Sequence, residues 1–265
     1  MATRVPSAGL RQVRRSPDDR FFLISAIAMT VVIFAGFVMQ LALGRSSFAV
    51  GPLYHLHAVV FMGWISIYLV QTWLGTVGAI GLHRMLGWVA VAWMMPMIVL
   101  GPAITVDRVQ AGRVPFFFQP QHFLIANPMT ILAFVALSGA AVVLRRRTDW
   151  HRRLHLCGMA ALLGPGFGRL MPMPLMEPVA FQSAAVVGLA FPIAGVIAER
   201  RRGRGVHPAW LWGIGALVAM LVLTEVIARS VIGDAIYRGV TAGTPGAAVA
   251  PMAFASPPGP LPSAP

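Results

Sequence analysis

Seven apolar stretches recur along the chain, separated by short polar segments that are rich in arginine. They cover residues 21–43, 53–79, 86–106, 122–144, 153–171, 179–199 and 209–232. The hydrocarbon core of a bilayer is about 30 Å thick, and a helix that crosses it needs about 20 apolar residues. The pattern therefore predicts an all-α, polytopic transmembrane bundle of seven helices. Gly164-Pro165-Gly166 interrupts the fifth stretch, so neighbouring helices must satisfy the backbone groups that this break frees.

The overall composition supports a membrane location. Of the 265 residues, 57% are hydrophobic and 11% are charged, and the mean hydropathy is +0.75. A soluble domain carries about 25% charged residues, so lipid must solvate part of this apolar surface. The length suits one helical bundle without a separate enzyme domain. The single cysteine, Cys157, excludes an internal disulfide and a cysteine metal cluster.

The basic residues are arranged as topology signals. All 21 are arginines, the net charge is +13, and they cluster between the apolar stretches. A nucleic-acid-binding module would spread its basic residues along a polar face with interleaved aromatic residues, so nucleic acid is excluded as a partner. A cytoplasmic N-terminus places 15 arginines inside and 6 outside, as the positive-inside rule requires. With seven spans the C-terminus is then external, and the absence of lysine is typical of a GC-rich bacterial genome, which indicates the bacterial inner membrane.

The two ends of the chain differ from the predicted transmembrane domain, residues 21–235. Residues 1–20 are polar and basic, and we expect a cytoplasmic arm that lies near anionic lipid headgroups. Residues 241–265 are rich in proline, glycine and alanine and cannot bury enough apolar surface to fold alone. The sequence therefore predicts a disordered tail there.

The second predicted helix carries an unusual polar face. His57, Trp64, Tyr68 and Gln71 fall on one side at helical spacing. Polar side chains are costly in lipid, so this face is expected to point into the bundle. Two interpretations stay open: the face packs and forms hydrogen bonds between helices, or it lines a ligand site.

Ionisable residues of four predicted helices lie at the same outer depth of the bilayer. His57 and His122 begin the second and fourth helices, Arg169 ends the fifth, and Glu225 lies in the outer half of the seventh. Glu225 and Arg229 also have the favoured spacing of a helical ion pair. A structural ion pair with exposed edge histidines explains these positions. The alternative is an outward-facing polar pocket for a small ligand, with a transport or sensing role. In that pocket Arg169 would hold an anionic group and His57 would change its charge near neutral pH.

The histidines also form two layers, which suggests a second function. His55, His57 and His122 lie in the outer layer, and His83, His151 and His155 lie in the inner layer. A membrane electron carrier that uses two haem b groups needs a pair of axial imidazoles near each surface. His151 and His155 also have a spacing that can bind a metal. Each inner histidine stands beside arginines, however, and the positive-inside rule equally predicts residues that face headgroups.

A third interpretation is an accessory subunit or assembly factor of a larger membrane complex, in which the polar faces are contacts between helices. No pairing of a nucleophile with a base, no phosphate-binding loop and no paired carboxylates stand out among the eight acidic residues. Whether the chain is an enzyme therefore stays open, as do the metal and the cofactor.

Several of these residues also occur in short motifs. They are His57 with Trp64 and Gln71, LHRMLGW at 82–88, HRRL at 151–154 and LLGPGFGR at 162–169. In this combination the chain resembles an uncharacterised family of bacterial membrane proteins of about seven helices, which have His-Arg-x-Leu-Gly and His-[Lys/Arg]-Arg-Leu motifs. The resemblance covers about half of the chain and implies the same fold and site residues, with no activity. Members commonly have an acidic residue near Asn127; this sequence has none there, which argues against a proton relay through the fourth helix.

Overall fold

The computed structural model describes residues 17–256, and these residues form helices joined by short loops. The α-helices are α1 (Pro17–Ala42), α2 (Pro52–Thr76), α3 (Ile80–Gln110), α4 (Pro120–Val143), α5 (Thr148–Ala161), α6 (Gly164–Leu170), α7 (Ala180–Gly188), α8 (Ala190–Arg201), α9 (Pro208–Ala228) and α10 (Val231–Thr241). Two short 3₁₀ helices cover Met173–Met176 and Pro245–Ala248. No β-strand occurs within 17–256, so the prediction of an all-α fold is confirmed for these residues.

Six helical stretches are long and apolar enough to cross a membrane. They are α1, α2, α3, α4, α9 and the 22-residue stretch Ala180–Arg201, which combines α7 and α8. Many large apolar side chains on these helices are exposed, for example Val31, Val59 and Val99. An exposed apolar surface of this extent needs a nonaqueous environment. The six helices therefore indicate a multi-pass membrane protein.

The helix ends follow local sequence signals. Pro52, Pro120 and Pro208 occupy the first position of α2, α4 and α9, where a missing N–H costs nothing and the fixed backbone angle suits a helix. Gly78 and Gly203 follow the ends of α2 and α8 with φ of 76° and 69°. This left-handed conformation turns the chain back sharply and favours glycine. The loops at these two points are consequently short.

The fifth predicted helix, at 153–171, is divided in the structure. It begins earlier, at Thr148, and α5 and α6 are separated by Leu162 and Leu163. Leu162 donates a hydrogen bond to the carbonyl of Met159 and Leu163 to that of Ala160, in the tighter 3₁₀ pattern. α6 begins at Gly164, and Pro165, which has no N–H to donate, lies at its second position. The break therefore lies at Leu162-Leu163, and Gly164-Pro165-Gly166 forms the start of the second helix rather than a bend within one.

α5 lies at the centre of the bundle and contacts α1, α4, α8 and α9. Its residues Leu156 and Cys157 are fully buried. Glycines allow α5 and α6 to pack closely against their neighbours. A Cβ added to Gly213 on α9 would lie 2.3 Å from Cys157 Sγ on α5. One added to Gly36 on α1 would lie 2.6 Å from the carbonyl oxygen of Gly166 on α6. Helices in membranes commonly approach each other through such residues.

The bundle has two polar ends, which we call the Arg153 end and the Glu225 end. At the Arg153 end, where α1, α3, α5 and α9 begin, the carboxylate of Glu199 accepts hydrogen bonds from Arg153 Nε at 2.8 Å, Trp210 Nε1 at 2.8 Å and the backbone N–H of His207 at 2.9 Å. Asp18 accepts hydrogen bonds from Arg152, Arg202 and Arg204. Several arginines that mark topology in the sequence are therefore also partners of buried acids.

Segments at both ends of the chain differ from the sequence predictions. Residues 17–20 belong to the first turn of α1 instead of a polar arm; residues 1–16 and 257–265 lie outside the described residues. The predicted disordered tail is ordered over 241–256. Tyr237 donates hydrogen bonds to the carbonyls of Gly246 and Val249, both at 3.1 Å, and the side chain of Gln119 donates to that of Met252 at 2.7 Å. The segment folds because other helices satisfy its backbone, which its composition alone does not show.

Candidate polar site at the Glu225 end

The Glu225 carboxylate is the centre of a cluster of hydrogen-bond donors from three helices. His122 Nε2 on α4 lies 2.7 Å from Glu225 Oε1, and Gln182 Nε2 on α7 donates to the same oxygen. Arg229, one turn further along the chain, donates through Nε to Oε2 at 2.9 Å. Glu225 lies in a membrane-span-like helix, where an ionisable group is costly without partners. These contacts remove much of that cost.

The first turn of α4 positions His122. The neighbouring Gln121 is buried and donates through Nε2 to the carbonyl of Ala228 at 2.7 Å, at the end of α9. This bond satisfies one of the carbonyls that a helix leaves free at its C-terminus and fixes α4 against α9. The ring of Phe181 on α7 packs edge-on against His122, with the ring centres 5.4 Å apart. Both contacts hold the imidazole toward the carboxylate.

The site is open on one side. His122 is buried, whereas the side chain of Glu225 keeps 29% of its surface exposed and that of Arg229 keeps 58%. A crevice beside them is lined by Phe117, Phe118, Gln119, His122, Pro178, Phe181, Gln182, Arg229 and Phe254. Its volume is about 10 Å³, at the lower limit for one water molecule. A larger ligand would enter only if the aromatic side chains moved apart.

The structure brings two of the seven predicted pocket residues, His122 and Glu225, into contact. The polar face of α2 instead extends through most of the bundle. Trp64 and Tyr68 are buried in its core, and Gln71 lies near the Arg153 end, where its carbonyl contacts His83. A helix rises 1.5 Å per residue, so the 14 residues from His57 to Gln71 span about 21 Å. One pocket cannot include the whole face.

The remaining two predicted residues, His57 on α2 and Arg169 on α6, lie at the Glu225 end but do not contact Glu225. The ring of His57 stacks on Phe61 with the centres 4.1 Å apart, and its Nδ1 has no hydrogen-bond partner within 17–256. The guanidinium of Arg169 lies 3.9 Å from the ring centre of Phe37 and donates to the carbonyl of Pro165 at 2.8 Å. Neither residue forms a hydrogen bond or ion pair with Glu225 in the described part of the chain.

Gln182 was missed by the sequence analysis, together with the phenylalanines of the crevice. It is a polar residue inside the apolar stretch 179–199, and the same rule that selected Glu225 would have selected it. Phe117 and Phe118 lie in the loop before α4, where the pattern of apolar stretches gives no signal.

The histidines of the haem hypothesis are arranged differently in the two layers. His83, His151 and His155 lie together at the Arg153 end. No hydrogen bond or ring contact joins His57 to His122 in the described residues, and His122 pairs with Glu225 instead. Within 17–256 there is no group of three or more His, Cys, Asp or Glu that could hold a metal ion. Haem binding stays a prediction.

No protein-family model, no curated protein and no solved structure matches the chain.

Proposed function

We propose that this chain is an integral membrane protein that binds a small ligand at the Glu225 end, through Glu225 and His122, in a transport or sensing role. The observation that carries the proposal is the partly exposed Glu225 carboxylate, bonded by a buried histidine and a glutamine within a span-like helix. Intramembrane ionisable residues are functional candidates by default. A purely structural carboxylate would be closed off from its surroundings, whereas this side chain is 29% exposed and its partners His122, Gln182 and Arg229 line an aromatic crevice.

The chemistry of the site favours a ligand with a hydrogen-bonding polar group and an apolar body. The polar group would compete for the donors that now bond Glu225, and the guanidinium of Arg229 is more than half exposed beside it. Phe117, Phe118 and Phe181 would contact the apolar part. His122 and Glu225 share one hydrogen bond, so the pair can also move a proton as a ligand arrives.

The proposal includes seven crossings, with α5 and α6 together as the fifth. At the Arg153 end the guanidinium of Arg152 lies 4.6 Å from the ring centre of Phe22, on α1. At the other end Gln40 of α1 donates to the carbonyl of Arg169 at 3.0 Å. The two short helices thus follow α1 along most of its length. Together with the six long stretches, they support seven crossings.

We also propose that the Arg153 end faces the cytoplasm of a bacterium and that the Glu225 end faces outward across the inner membrane. Among the described residues, 11 arginines belong to the Arg153 end and 6 to the Glu225 end, which supports this orientation under the positive-inside rule. Membership of the uncharacterised family of seven-helix bacterial membrane proteins is likewise part of the proposal and rests on the motifs given above.

Cysteine labelling in intact cells tests outward access to the site. A membrane-impermeant thiol reagent should label Glu225→Cys, because the Glu225 side chain is 29% exposed at the end that the proposal places outside the cell. Thr224→Cys is the matched control: the neighbouring residue is fully buried and should stay unlabelled. The native Cys157 is also fully buried. If Glu225→Cys is unlabelled in intact cells, or is labelled only in inverted vesicles, the outward-facing site is wrong.

A further inference from the structure

Three histidines cluster at the Arg153 end, on the side of the bundle away from Glu225. His83 lies in the first turn of α3, and His151 and His155 lie one turn apart on α5. The ring centres of His83 and His151 are 6.1 Å apart with the planes nearly perpendicular, and those of His151 and His155 are 4.8 Å apart. Two separate helices therefore present imidazoles to one small volume.

Main-chain carbonyls fix the tautomer of two of these rings. Nδ1 of His83 lies 3.1 Å from the carbonyl oxygen of Gln71, and Nδ1 of His151 lies 2.8 Å from that of Ala141. A carbonyl oxygen only accepts, so each Nδ1 carries the hydrogen and donates it. In the neutral rings Nε2 is then a bare acceptor, and neither Nε2 has a hydrogen bond within 17–256. This is the arrangement of a metal-binding histidine, whose other ring N–H is held by a carbonyl or carboxylate.

The carbonyl bonds also have a simpler explanation, which a test must separate from metal binding. Ala141 lies in the last turn of α4, and the backbone N–H of Arg145 bonds the carbonyl of Val142 instead of that of Ala141. A helix end leaves such carbonyls free, so His151 could serve only as their donor. That explanation accounts for Nδ1 of one ring. It does not account for a second anchored imidazole, His83, whose unprotonated nitrogen is available beside it.

We propose that Nε2 of His83 and Nε2 of His151 ligate one transition-metal centre between α3 and α5. Imidazole nitrogens favour zinc, copper and iron over hard cations such as magnesium. A metal lies about 2.0–2.1 Å from each imidazole nitrogen, which fits two rings whose centres are 6.1 Å apart. The described residues provide no third ligand, so the other positions go to water or to the nitrogens of a porphyrin. A free ion and the iron of a haem share this ligand chemistry. The inference does not rest on the proposed ligand site.

Metal content of the full-length protein tests the proposal. The protein is purified in mild detergent with a tag that contains no histidine, and metals are measured by mass spectrometry together with the visible spectrum. We expect about one zinc, copper or iron per chain, present at purification or after addition of Zn²⁺, Cu⁺ or haem. A Soret band and iron identify a haem; a flat visible spectrum with zinc or copper identifies a free ion.

Paired substitutions assign the ligands. His83→Gln and His151→Gln keep an amide N–H that can donate to the same carbonyl but remove the imidazole. Each should lower the apparent metal affinity at least about tenfold, since loss of outer partners alone costs 10–100-fold. His55→Ala, an exposed histidine at the other end, should bind like the wild type. The proposal is overturned if the wild type binds neither zinc, copper nor iron more tightly than the double variant His83→Gln with His151→Gln. It is also overturned if His55→Ala loses as much affinity as His83→Gln.

Discussion

Glu199→Gln should destabilise the bundle more than any exposed charge substitution. The side chains of Glu199 and Arg153 keep only 5% and 6% of their surface exposed. All four groups that bond the Glu199 carboxylate are donors: two nitrogens of Arg153, Trp210 Nε1 and the backbone N–H of His207. A glutamine places one NH₂, itself a donor, against these donors. It also leaves Arg153 with only the exposed Asp149, 3.5 Å from its Nη1, as a counter-ion among the described residues.

Removing one member of a buried ion pair costs about 3–5 kcal/mol, because the remaining charge stays desolvated. A neutral amide still accepts one or two of the four hydrogen bonds, each worth about 1 kcal/mol, so we expect about 3 kcal/mol. The free energy of unfolding can be measured by titrating SDS into mixed micelles and following helix content and tryptophan fluorescence. Asp234→Asn is the matched control, because Asp234 forms an exposed helical pair with Arg238. It should cost less than about 0.5 kcal/mol.

A second variant separates the ion pair from general packing. Replacing both partners, as Arg153→Met with Glu199→Leu, should recover part of the lost stability, since a buried pair can often be exchanged for apolar residues. A loss below about 1 kcal/mol in Glu199→Gln would refute the reasoning. The reasoning would also be refuted if the double variant lost twice as much stability relative to the wild type as Glu199→Gln loses.

Two further stability predictions concern close packing and the C-terminal segment. Gly213→Ala should cost about 1–3 kcal/mol in the same titration, because the new Cβ would lie 2.3 Å from Cys157 Sγ. Gly215→Ala, with nothing within 4 Å, should be neutral or slightly stabilising, and equal effects would contradict this explanation. Tyr237→Phe removes the donor to two carbonyls and should speed proteinase K cleavage within 242–256; an unchanged cleavage rate would mean that other contacts hold the segment.

The sequence predicted the helices from hydropathy and failed where charges have partners inside the protein. Hydropathy predicts that the fifth helix begins at 153, the last arginine of the polar segment, yet α5 begins at Thr148. Arg152 and Arg153 bond Asp18 and Glu199 from other helices, so these charges are part of the folded helix. A hydropathy pattern cannot distinguish an arginine paired in this way from one in water. The seventh helix was placed too long for a local reason: Ser230 caps a new helix through the N–H of Gly233.

The candidate site was predicted in part for a related reason. Depth along a span follows from counting residues, which predicts His122 and Glu225 at the same level, and in the structure their side chains lie 2.7 Å apart. Order around the bundle does not follow from the spans, and the structure places Gln182 beside Glu225, with His57 and Arg169 on other helices. The length of the α2 face follows from the sequence: its 14 residues span about 21 Å of helix, which is longer than one small-ligand pocket is deep. Spacing along a helix identifies a face, and rise per residue then limits how much of that face one ligand can contact.

Glu199 and Glu225 share a similar set of partners, and their difference in exposure argues for different roles. Each carboxylate lies near the end of a span-like stretch and accepts hydrogen bonds from an arginine and from residues of other segments. Every donor at Glu199 is provided by a closed, buried network, so the group has no capacity for a ligand and its removal costs stability. The side chain of Glu225 is 29% exposed, that of its partner Arg229 is 58% exposed, and three of its partners line an aromatic crevice. The exposed part of Glu225 leaves room for one of its partners to be exchanged, whereas the enclosed carboxylate of Glu199 leaves none. A carboxylate that can exchange partners can bind and release a ligand, which supports the proposal of a ligand site at Glu225 and a structural role for Glu199.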